Sequence, residues 1–169
     1  MINGYEVLKE KYPDFDEEQR TPNGIDLRLG KVYTLDNQKE QYGLYKDEKV
    51  IPEYNEITPI KDDKGRLVWE FLSYKPYILE IDKPIKIDSD CAQLYTSRST
   101  LLRCGTSLHT AVGDAGFYGK LSFLFVNFNI PLFVMEKGVR FAQLIDHPLY
   151  GATIVYDGDY QEEGDDVNV

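Results

Sequence analysis

The sequence has few cysteines and a shortage of basic residues. Cys91 and Cys104 are its only two cysteines, and they form no C-x-x-C pair. A disulfide framework or a structural zinc site therefore has little support. With 19 Lys and Arg against 29 Asp and Glu, the formal net charge is −10. Because nucleic-acid binding depends on a basic surface that neutralises phosphates, we expect no nucleic-acid partner.

Long apolar segments are also missing. The first residues, "MINGYEVLKEKYPDFDEEQ", contain no basic stretch followed by an apolar one, and no apolar run approaches the length that spans a bilayer. We therefore expect a soluble, cytoplasmic protein without a membrane partner.

Familiar catalytic motifs are absent as well. There is no P-loop and no Ser-His-Asp order, and the two histidines, His109 and His147, are far apart without acidic or cysteine ligands at metal-binding spacing. Both histidines are predicted to be non-catalytic.

What the sequence does contain is β-forming residues in short runs. Thirteen tyrosines, eight phenylalanines and many Val, Ile and Leu segments are interrupted by turn residues, which predicts a mostly β protein. A length of 169 residues fits one domain, predicted over 1–156. The segment 37–66 reads as a polar excursion from it. The segment 157–169 is acidic and is predicted to be a mobile, solvated tail.

Three local patterns predict elements of structure. "NGYEVLKEKYP" reads as a short helix capped by Asn3, and "NGIDLRLG" as a strand in which Asp26 points away from an apolar face. "KLSFLFVNFNIPLFV", residues 120–134, is nearly continuous apolar sequence, typical of a strand covered on both faces. Such a strand indicates a closed β-body or a subunit contact.

Residues 97–105, "SRSTLLRCG", read as a short helix with Ser97 or Ser99 at its start and Gly105 in the left-handed conformation at its end. The free N–H groups of the first turn, together with Arg98 and Arg103, could bind phosphate oxygens. Helix capping alone would also explain the serines, and for this motif in isolation that reading is favoured.

Residues 112–119, "VGDAGFYG", place three glycines around Asp114. This pattern predicts a tight hairpin whose backbone can approach a flat ligand, with Phe117 available to stack on it. The alternative is an ordinary turn aspartate beside core aromatics. In "GVRFAQLI", Gln143 lies among apolar neighbours and must find a hydrogen-bonding partner, in the core or on a ligand.

Taken together, four stretches resemble the family that unites dUTP diphosphatases with dCTP deaminases. In the family's order they are "NGIDLRLG" at 23–30, "SRSTLLRCG" at 97–105, "AVGDAGFYG" at 111–119 and "GVRFAQLI" at 138–145. The resemblance implies a mostly β fold, a distorted β-barrel of the dUTPase-like (β-clip) type with short helices. It also implies a homotrimer with active sites at the subunit boundaries.

The resemblance further implies a role for each site residue. Asp114 would position the attacking water and contact the sugar. Gly113 and the rest of the 113–118 backbone would read the uracil edge of dUTP beside Phe117. Asp26 would orient waters on a magnesium ion, the implied cofactor. The phosphates would be bound by Arg98, Ser99, Thr100, Arg103 and Gln143.

The two branches of the family differ in chemistry, and this sequence has features of both. "RSTLLR" and "DAGF" are similar to the deaminases, but Leu124 stands where deaminases place a proton-transferring glutamate. The resemblance therefore favours a dUTP diphosphatase of the archaeal, deaminase-like type, which releases dUMP and pyrophosphate. A dCTP deaminase or a bifunctional enzyme is the second interpretation, and a nucleotide-binding regulator that acts through a protein partner is the third.

The C-terminal segment resembles the family in part. Tyr160 and Gln161 match its C-terminal pair and are predicted to contact the base and sugar, but the family's basic residue is missing. Acids so close to a triphosphate would repel it unless the tail stays open or magnesium screens them.

Overall fold

The structure is a computed structural model that describes residues 2–36, 38–128, 130–151, 153–158 and 160–161. Most of the predicted tail, residues 159 and 162–169, lies outside the described residues. The helices are Tyr5–Lys11 (α1), a 3-10 turn at Glu17–Gln19, and Ser99–Arg103 (α2). In the described residues no helix is long and apolar enough to cross a membrane.

The described residues form fifteen strands and little helix, so the protein is mostly β, as predicted. In chain order they are β1 (Arg20–Thr21), β2 (Gly24–Leu35), β3 (Gly43–Leu44), β4 (Lys49–Val50), β5 (Tyr54–Glu56), β6 (Ile60–Lys61), β7 (Leu67–Leu72), β8 (Pro76–Ile81), β9 (Ile85–Lys86), β10 (Cys91–Ser97), β11 (Thr106–His109), β12 (Tyr118–Gly119), β13 (Ser122–Asn127), β14 (Leu132–Glu136) and β15 (Arg140–Pro148). Strands β5 and β6 lie in the second half of the polar excursion. Since β5 pairs with β2 and β6 pairs with β7, this half of the excursion is part of the β-sheet structure.

The main sheet is antiparallel and curls into a nearly closed barrel. Its strand order is β10-β15-β2-β8-β13-β11, with β1 and β5 added beside β2. The two end strands approach each other, because the chain after β11 bonds back to β10. Gly113 and Gln93 exchange two backbone hydrogen bonds of 2.8 and 2.9 Å, and the Thr110 hydroxyl donates to the Tyr95 carbonyl at 2.9 Å. The predicted β-barrel class is therefore confirmed.

The core lies inside this barrel. On β2, Ile25, Leu27 and Leu29 are at most 1% exposed, as their alternation predicts. Aromatic rings fill the centre: Phe71 and Phe125 meet with centroids 5.0 Å apart, and the nearly perpendicular planes suit the ring quadrupoles.

The apolar run 120–134 is not one strand. It divides into β13, in the main sheet, and β14, which pairs with β7 in a separate three-stranded sheet. On β13 the side chains alternate between buried and half-buried, and Phe128, Leu132 and Val134 beyond it are exposed. The prediction that both faces are covered is therefore wrong for a single chain.

A buried carboxylate ties helix α1 to the barrel. Asp146 of β15 has no solvent exposure and accepts hydrogen bonds from Asn3 (2.6 Å), Lys11 (2.8 Å) and the Tyr12 hydroxyl (2.9 Å). Asn3 therefore does not cap α1 as predicted; its side chain bonds Asp146, and Gly4 is the N-cap. Burial by itself raises the pKa of Asp146, but the bonds from Lys11 and Asn3 outweigh it and hold the pKa below its ordinary value.

This carboxylate should make stability depend on pH. A depressed folded-state pKa stabilises the protein above the unfolded pKa of about 3.9, and the stabilisation is lost as pH falls through the folded value. We expect Asp146→Asn to lower the free energy of unfolding by about 3–5 kcal/mol at pH 7, because Lys11 loses its buried partner. Urea titrations should show this difference shrinking below about pH 4. The control is Asp88→Asn, since Asp88 is a half-exposed partner of Lys11; an equal loss there would contradict the prediction.

Candidate active site

The first part of the site lies where β10 ends and α2 begins. The N-cap of α2 is Arg98, in extended conformation, with no side-chain capping bond. The predicted capping by Ser97 or Ser99 is therefore wrong. Gly105, with φ of 68°, ends the helix in the left-handed conformation as predicted. The Ser99 and Thr100 side chains are exposed on the first turn of the helix.

Two arginines hold one buried carboxylate beside this turn. The Asp26 side chain is only 5% exposed, and its Oδ2 lies 2.9 Å from Arg98 Nε and 3.5 Å from Arg140 Nη1. Burial raises the pKa of Asp26, and the two guanidinium groups oppose that rise. Two guanidinium groups face one carboxylate, so the cluster keeps a charge of +1. The ion pairs also hold both arginine side chains in place. Asp26 does point away from the apolar face, as predicted, but into this cluster.

Gln143 lies next to the cluster on β15. It pairs with Asp26 of β2 on one side and Thr96 of β10 on the other, so three neighbouring strands bring these residues into one row. Its Nε2 donates to the Thr21 hydroxyl at 2.7 Å, which confirms that the amide is satisfied. Its contact with phosphate stays a prediction. Arg103 donates to the Ser99 hydroxyl at 3.5 Å and is exposed.

The second part of the site is the glycine-rich turn. The Phe117 N–H donates to the Asp114 carbonyl at 3.1 Å, and Gly116 has φ of 83°. The predicted tight turn is thus present, but the hairpin is not. Gly113 pairs with Gln93 of β10, whereas β12 pairs with β9. The Asp114 side chain is exposed and, among the described residues, accepts no hydrogen bond, so it does not serve to tie its own turn.

A cleft opens beside Asp114. It has a volume of about 330 Å³ and is lined by Val112, Gly113, Asp114, Phe117, Leu121, Tyr156 and Tyr160. This volume falls at the lower end of the range for small-molecule sites. Phe117 is mostly buried, and its ring meets Tyr156 at 5.5 Å in an edge-on arrangement. Phe117 therefore offers the cleft part of a ring that is already anchored in the core.

The start of the C-terminal tail touches the same turn. The Gln161 side-chain oxygen accepts from the Tyr118 N–H, and its amide nitrogen donates to the Gly116 carbonyl, both at 3.3 Å. The Tyr160 N–H donates to the Tyr156 hydroxyl at 3.3 Å. The turn thus presents one donor and one acceptor that a single planar amide satisfies together. A flat base with a similar edge would use the same two groups.

The two parts of the site lie apart within one chain. Gly113 sits beside Gln93, and Arg98 is five residues further along the same extended segment, or about 16 Å at the rise of a strand. Arg98, Thr100 and Arg140 line a separate cleft of about 340 Å³. The structure therefore forms two half-sites: the arginine half-site around Asp26 and the turn half-site around Asp114.

Sequence reasoning missed two of these residues. The sequence assigns no role to Arg140, and the place of this side chain on Asp26 follows from a register shift between Arg140 and Ala142 in β15. Tyr156 carried a weak signal, an aromatic residue just before the acidic tail, and it proves to pack on Phe117.

The residues present fit a magnesium ion only indirectly. Both ion pairs of Asp26 use Oδ2, and this single, partly compensated carboxylate is not a ligand set for a cation that requires six oxygens. It can, however, hydrogen-bond to waters of an ion that the ligand itself carries. The one group of close ligand atoms in the described residues, Asp88, Asp90 and Cys91, lies at the other end of β10.

Fold and site define a class: a small antiparallel β-barrel with an arginine half-site at one end of β10 and a glycine-turn half-site at the other. A family model described as dCTP deaminase-like matches residues 5–147. The chain belongs to this family.

The similarity to known proteins extends over nearly the whole chain. A probable deoxyuridine 5'-triphosphate nucleotidohydrolase of Methanopyrus kandleri is 40% identical over 95% of this chain and 99% of its own. One of the same name from Methanothermobacter thermautotrophicus is 38% identical over 96% and 100%. The crystal structure of the 2'-deoxycytidine 5'-triphosphate deaminase from Agrobacterium tumefaciens superposes with a TM-score of 0.63 at 14% identity, covering 87% of this chain and 48% of that one. This last likeness supports the fold alone.

The tail should contribute little to folding. Its described contacts with the turn are exposed and long, so we expect deletion of residues 158–169 to change the free energy of unfolding by less than about 1 kcal/mol. The matched variant is Tyr156→Ala, which removes the ring that packs on Phe117 and should cost about 1–3 kcal/mol. Urea unfolding measures both. A truncated protein less stable than the Tyr156 variant would contradict the prediction.

Proposed function

We propose that this protein is a dUTP diphosphatase, which hydrolyses dUTP to dUMP and pyrophosphate. The observation that carries the proposal is the pair of full-length relatives named deoxyuridine 5'-triphosphate nucleotidohydrolase. The half-sites support it, because one offers cationic and hydroxyl donors and the other a carboxylate beside a cleft of suitable size.

In this proposal the arginine half-site binds the triphosphate. Arg98 is held by Asp26 and stays one-third exposed, so it can bind phosphate oxygens without first being ordered. Arg140 adds a second guanidinium, and Ser99, Thr100, Arg103 and Gln143 supply further donors. The residual positive charge of the cluster favours an anionic substrate on a protein whose net charge is −10.

Asp114 is the proposed general base. Its exposed carboxylate takes a proton from a water molecule as the water oxygen bonds to phosphorus, and the bond between the α- and β-phosphates breaks with pyrophosphate as leaving group. The turn backbone reads the uracil edge through the Tyr118 N–H and the Gly116 carbonyl, the two groups that hydrogen-bond to the Gln161 side chain.

Magnesium is the proposed cofactor, with Asp26 as its water-mediated partner. When bound, the ion would neutralise part of the negative charge on the triphosphate. The protein's own contribution is to hold the Asp26 carboxylate in place between Arg98 and Arg140.

A homotrimer would bring the two half-sites together across subunit boundaries. Arg98 and Asp114 line different clefts of one chain, so a nucleotide bound to both is best accommodated between a half-site of one subunit and the other half-site of its neighbour. The exposed side chains of Phe128, Leu132 and Val134 offer apolar surface for such contacts.

Deamination of dCTP is the competing reaction within the family. Strand β13 reads Ser-Phe-Leu-Phe-Val-Asn and carries no titratable side chain, and Leu124 is half-buried between Ile78 and His109 on the neighbouring strands. A leucine cannot move the protons that attack on the cytosine ring requires.

The experiment that tests the function is an assay of the purified protein with each deoxynucleoside triphosphate, with and without magnesium. We expect magnesium-dependent release of dUMP and pyrophosphate from dUTP and no change in dCTP. Ammonia released from dCTP at a comparable rate would identify a deaminase or bifunctional enzyme. Tight dUTP binding without pyrophosphate would instead favour a nucleotide-binding regulator.

Asp114→Asn tests the general base. The substitution keeps the size of the side chain but removes the charge that accepts the proton, so turnover of dUTP should fall about 10²- to 10⁴-fold while dUTP affinity is kept. The control is Asp62→Asn, since Asp62 also begins a tight turn, with Gly65, but bonds its own backbone. If both variants stay within a few-fold of wild type, Asp114 is only a turn residue and the mechanism is wrong.

Mixed trimers test the shared site. Arg98→Gln and Asp114→Asn should each have little activity alone, and light scattering should show both as trimers. When the two are refolded together in equal amounts, about one quarter of the sites should combine an intact Arg98 with an intact Asp114, because each subunit is the required variant with a probability of one half. If mixing restores no activity although the trimers exchange subunits, the site lies within one chain.

A further inference from the structure

We propose that a buried chain of hydrogen bonds, Tyr95–Gln93–Tyr12–Asp146, is a positioning network that fixes the Asp114 turn, with Tyr95 as its contact to that turn. The inference rests on the proposed role of Asp114. It assigns a part in turnover to side chains that touch neither substrate nor reacting atoms.

The centre of the network is Gln93, a side chain with no solvent exposure. Its oxygen accepts from the Tyr95 hydroxyl, and its amide nitrogen donates to the Tyr12 hydroxyl, both at 2.6 Å. Tyr12 in turn donates to Asp146 at 2.9 Å. Because the Asp146 carboxylate can only accept, every hydroxyl and amide of the chain has one orientation.

The backbone of the same glutamine holds the turn. Gln93 and Gly113 exchange two backbone hydrogen bonds, so the residue before Asp114 is fixed to β10. Gly113 also lies against the Tyr95 side chain: a Cβ added to Gly113 would lie 2.3 Å from the Tyr95 hydroxyl oxygen and 2.6 Å from Ile87 Cδ1. The Tyr95 hydroxyl is therefore in direct contact with the backbone from which Asp114 extends.

This arrangement makes the turn sensitive to the Tyr95 hydroxyl. Without it, the buried oxygen of Gln93 loses its donor, and an unpaired buried acceptor is costly enough to make the side chain reorient. Because Gln93 is also the backbone partner of Gly113, any such movement of Gln93 would shift the turn that carries Asp114. A general base displaced by about 1 Å can lose about 10²-fold in rate.

Electrostatics agree with this proximity. Burial raises the pKa of the Tyr95 hydroxyl, and the nearby acidic groups of Tyr12, Asp146 and Asp114 raise that pKa further. The hydroxyl therefore stays protonated as a donor, and the Asp114 carboxylate is close enough to act on it.

The test is Tyr95→Phe, with Tyr33→Phe as the matched control. The Tyr33 hydroxyl donates to Glu80 at 3.0 Å on another part of the sheet, so its loss removes a hydrogen bond without touching the turn. We expect Tyr95→Phe to lower kcat for dUTP about 10- to 100-fold with KM changed by less than about 3-fold. Tyr33→Phe should leave both constants near wild type. If Tyr95→Phe turns over dUTP as fast as wild type, the proposal is overturned.

A double variant separates positioning from general destabilisation. In the Asp114→Asn background no charged base remains to be positioned, so Tyr95→Phe should then lower kcat by less than about 2-fold. If Tyr95→Phe lowers kcat by the same factor in wild type and in Asp114→Asn, Tyr95 does not act through Asp114. Wild-type protein that does not hydrolyse dUTP would refute the proposed function itself, whereas an unaffected Asp114→Asn would refute only the proposed role of Asp114.

Hydrogen exchange provides a readout that is independent of activity. The amide of Gly113, which donates to Gln93, should exchange faster in Tyr95→Phe, whereas amides in the centre of β2 should be unchanged. Unchanged exchange at Gly113 would overturn the network even if the proposed function fails. If Tyr95→Phe does not fold, Tyr12→Phe, which breaks the next link, should show the same pattern in kcat and in exchange.

Discussion

The pairing of Gln93 with Gly113 is the constraint on which the rest of the structure depends. It joins the chain after β11 to β10 and so closes the barrel between the two end strands of the sheet. The bridge occupies part of the edge of β10, and it places the glycine turn against a strand that also leads to Arg98. Barrel geometry and site geometry are thus set by the same two hydrogen bonds. A glycine is required at 113 because any side chain would collide with Tyr95 and Ile87.

One consequence is the division of the site. Since β10 passes Gly113 near its start and reaches Arg98 just beyond its end, the carboxylate of the turn and the guanidinium groups are separated by the length of the strand. A single chain of this fold presents two half-sites, and neither is complete by itself. In a cyclic oligomer the same subunit contact is repeated around the axis, so each arginine half-site meets the turn half-site of a neighbouring subunit. The apolar surface beyond β13 is consistent with such an assembly, since it remains exposed when one chain has folded.

Local features of the sequence predicted the structure well where the determinants are local. The alternation in "NGIDLRLG" correctly predicted strand β2, and Gly105 ends helix α2 in the left-handed conformation as predicted. The hairpin prediction failed because the partners of Gly113 and Tyr118 lie on β10 and β9, far away in the sequence. Arg140 was missed because a register shift brings it to Asp26, and periodicity cannot reveal such a shift. Asn3 was assigned to a cap because its actual partner, Asp146, is 143 residues away.

The two buried carboxylates show how the same chemical group is used in opposite ways. Asp146 has one lysine and neutral donors around it, so its charge is balanced within the core, and its bonds hold α1 and the network in place. Asp26 pairs with two arginines, so one positive charge remains uncompensated at the cleft that these arginines line. Removing the first should destabilise the fold, whereas removing the second should mainly free the arginines that it orders. In an acidic protein, an ordered cationic pair is what allows an anionic ligand to approach, because the rest of the surface repels it.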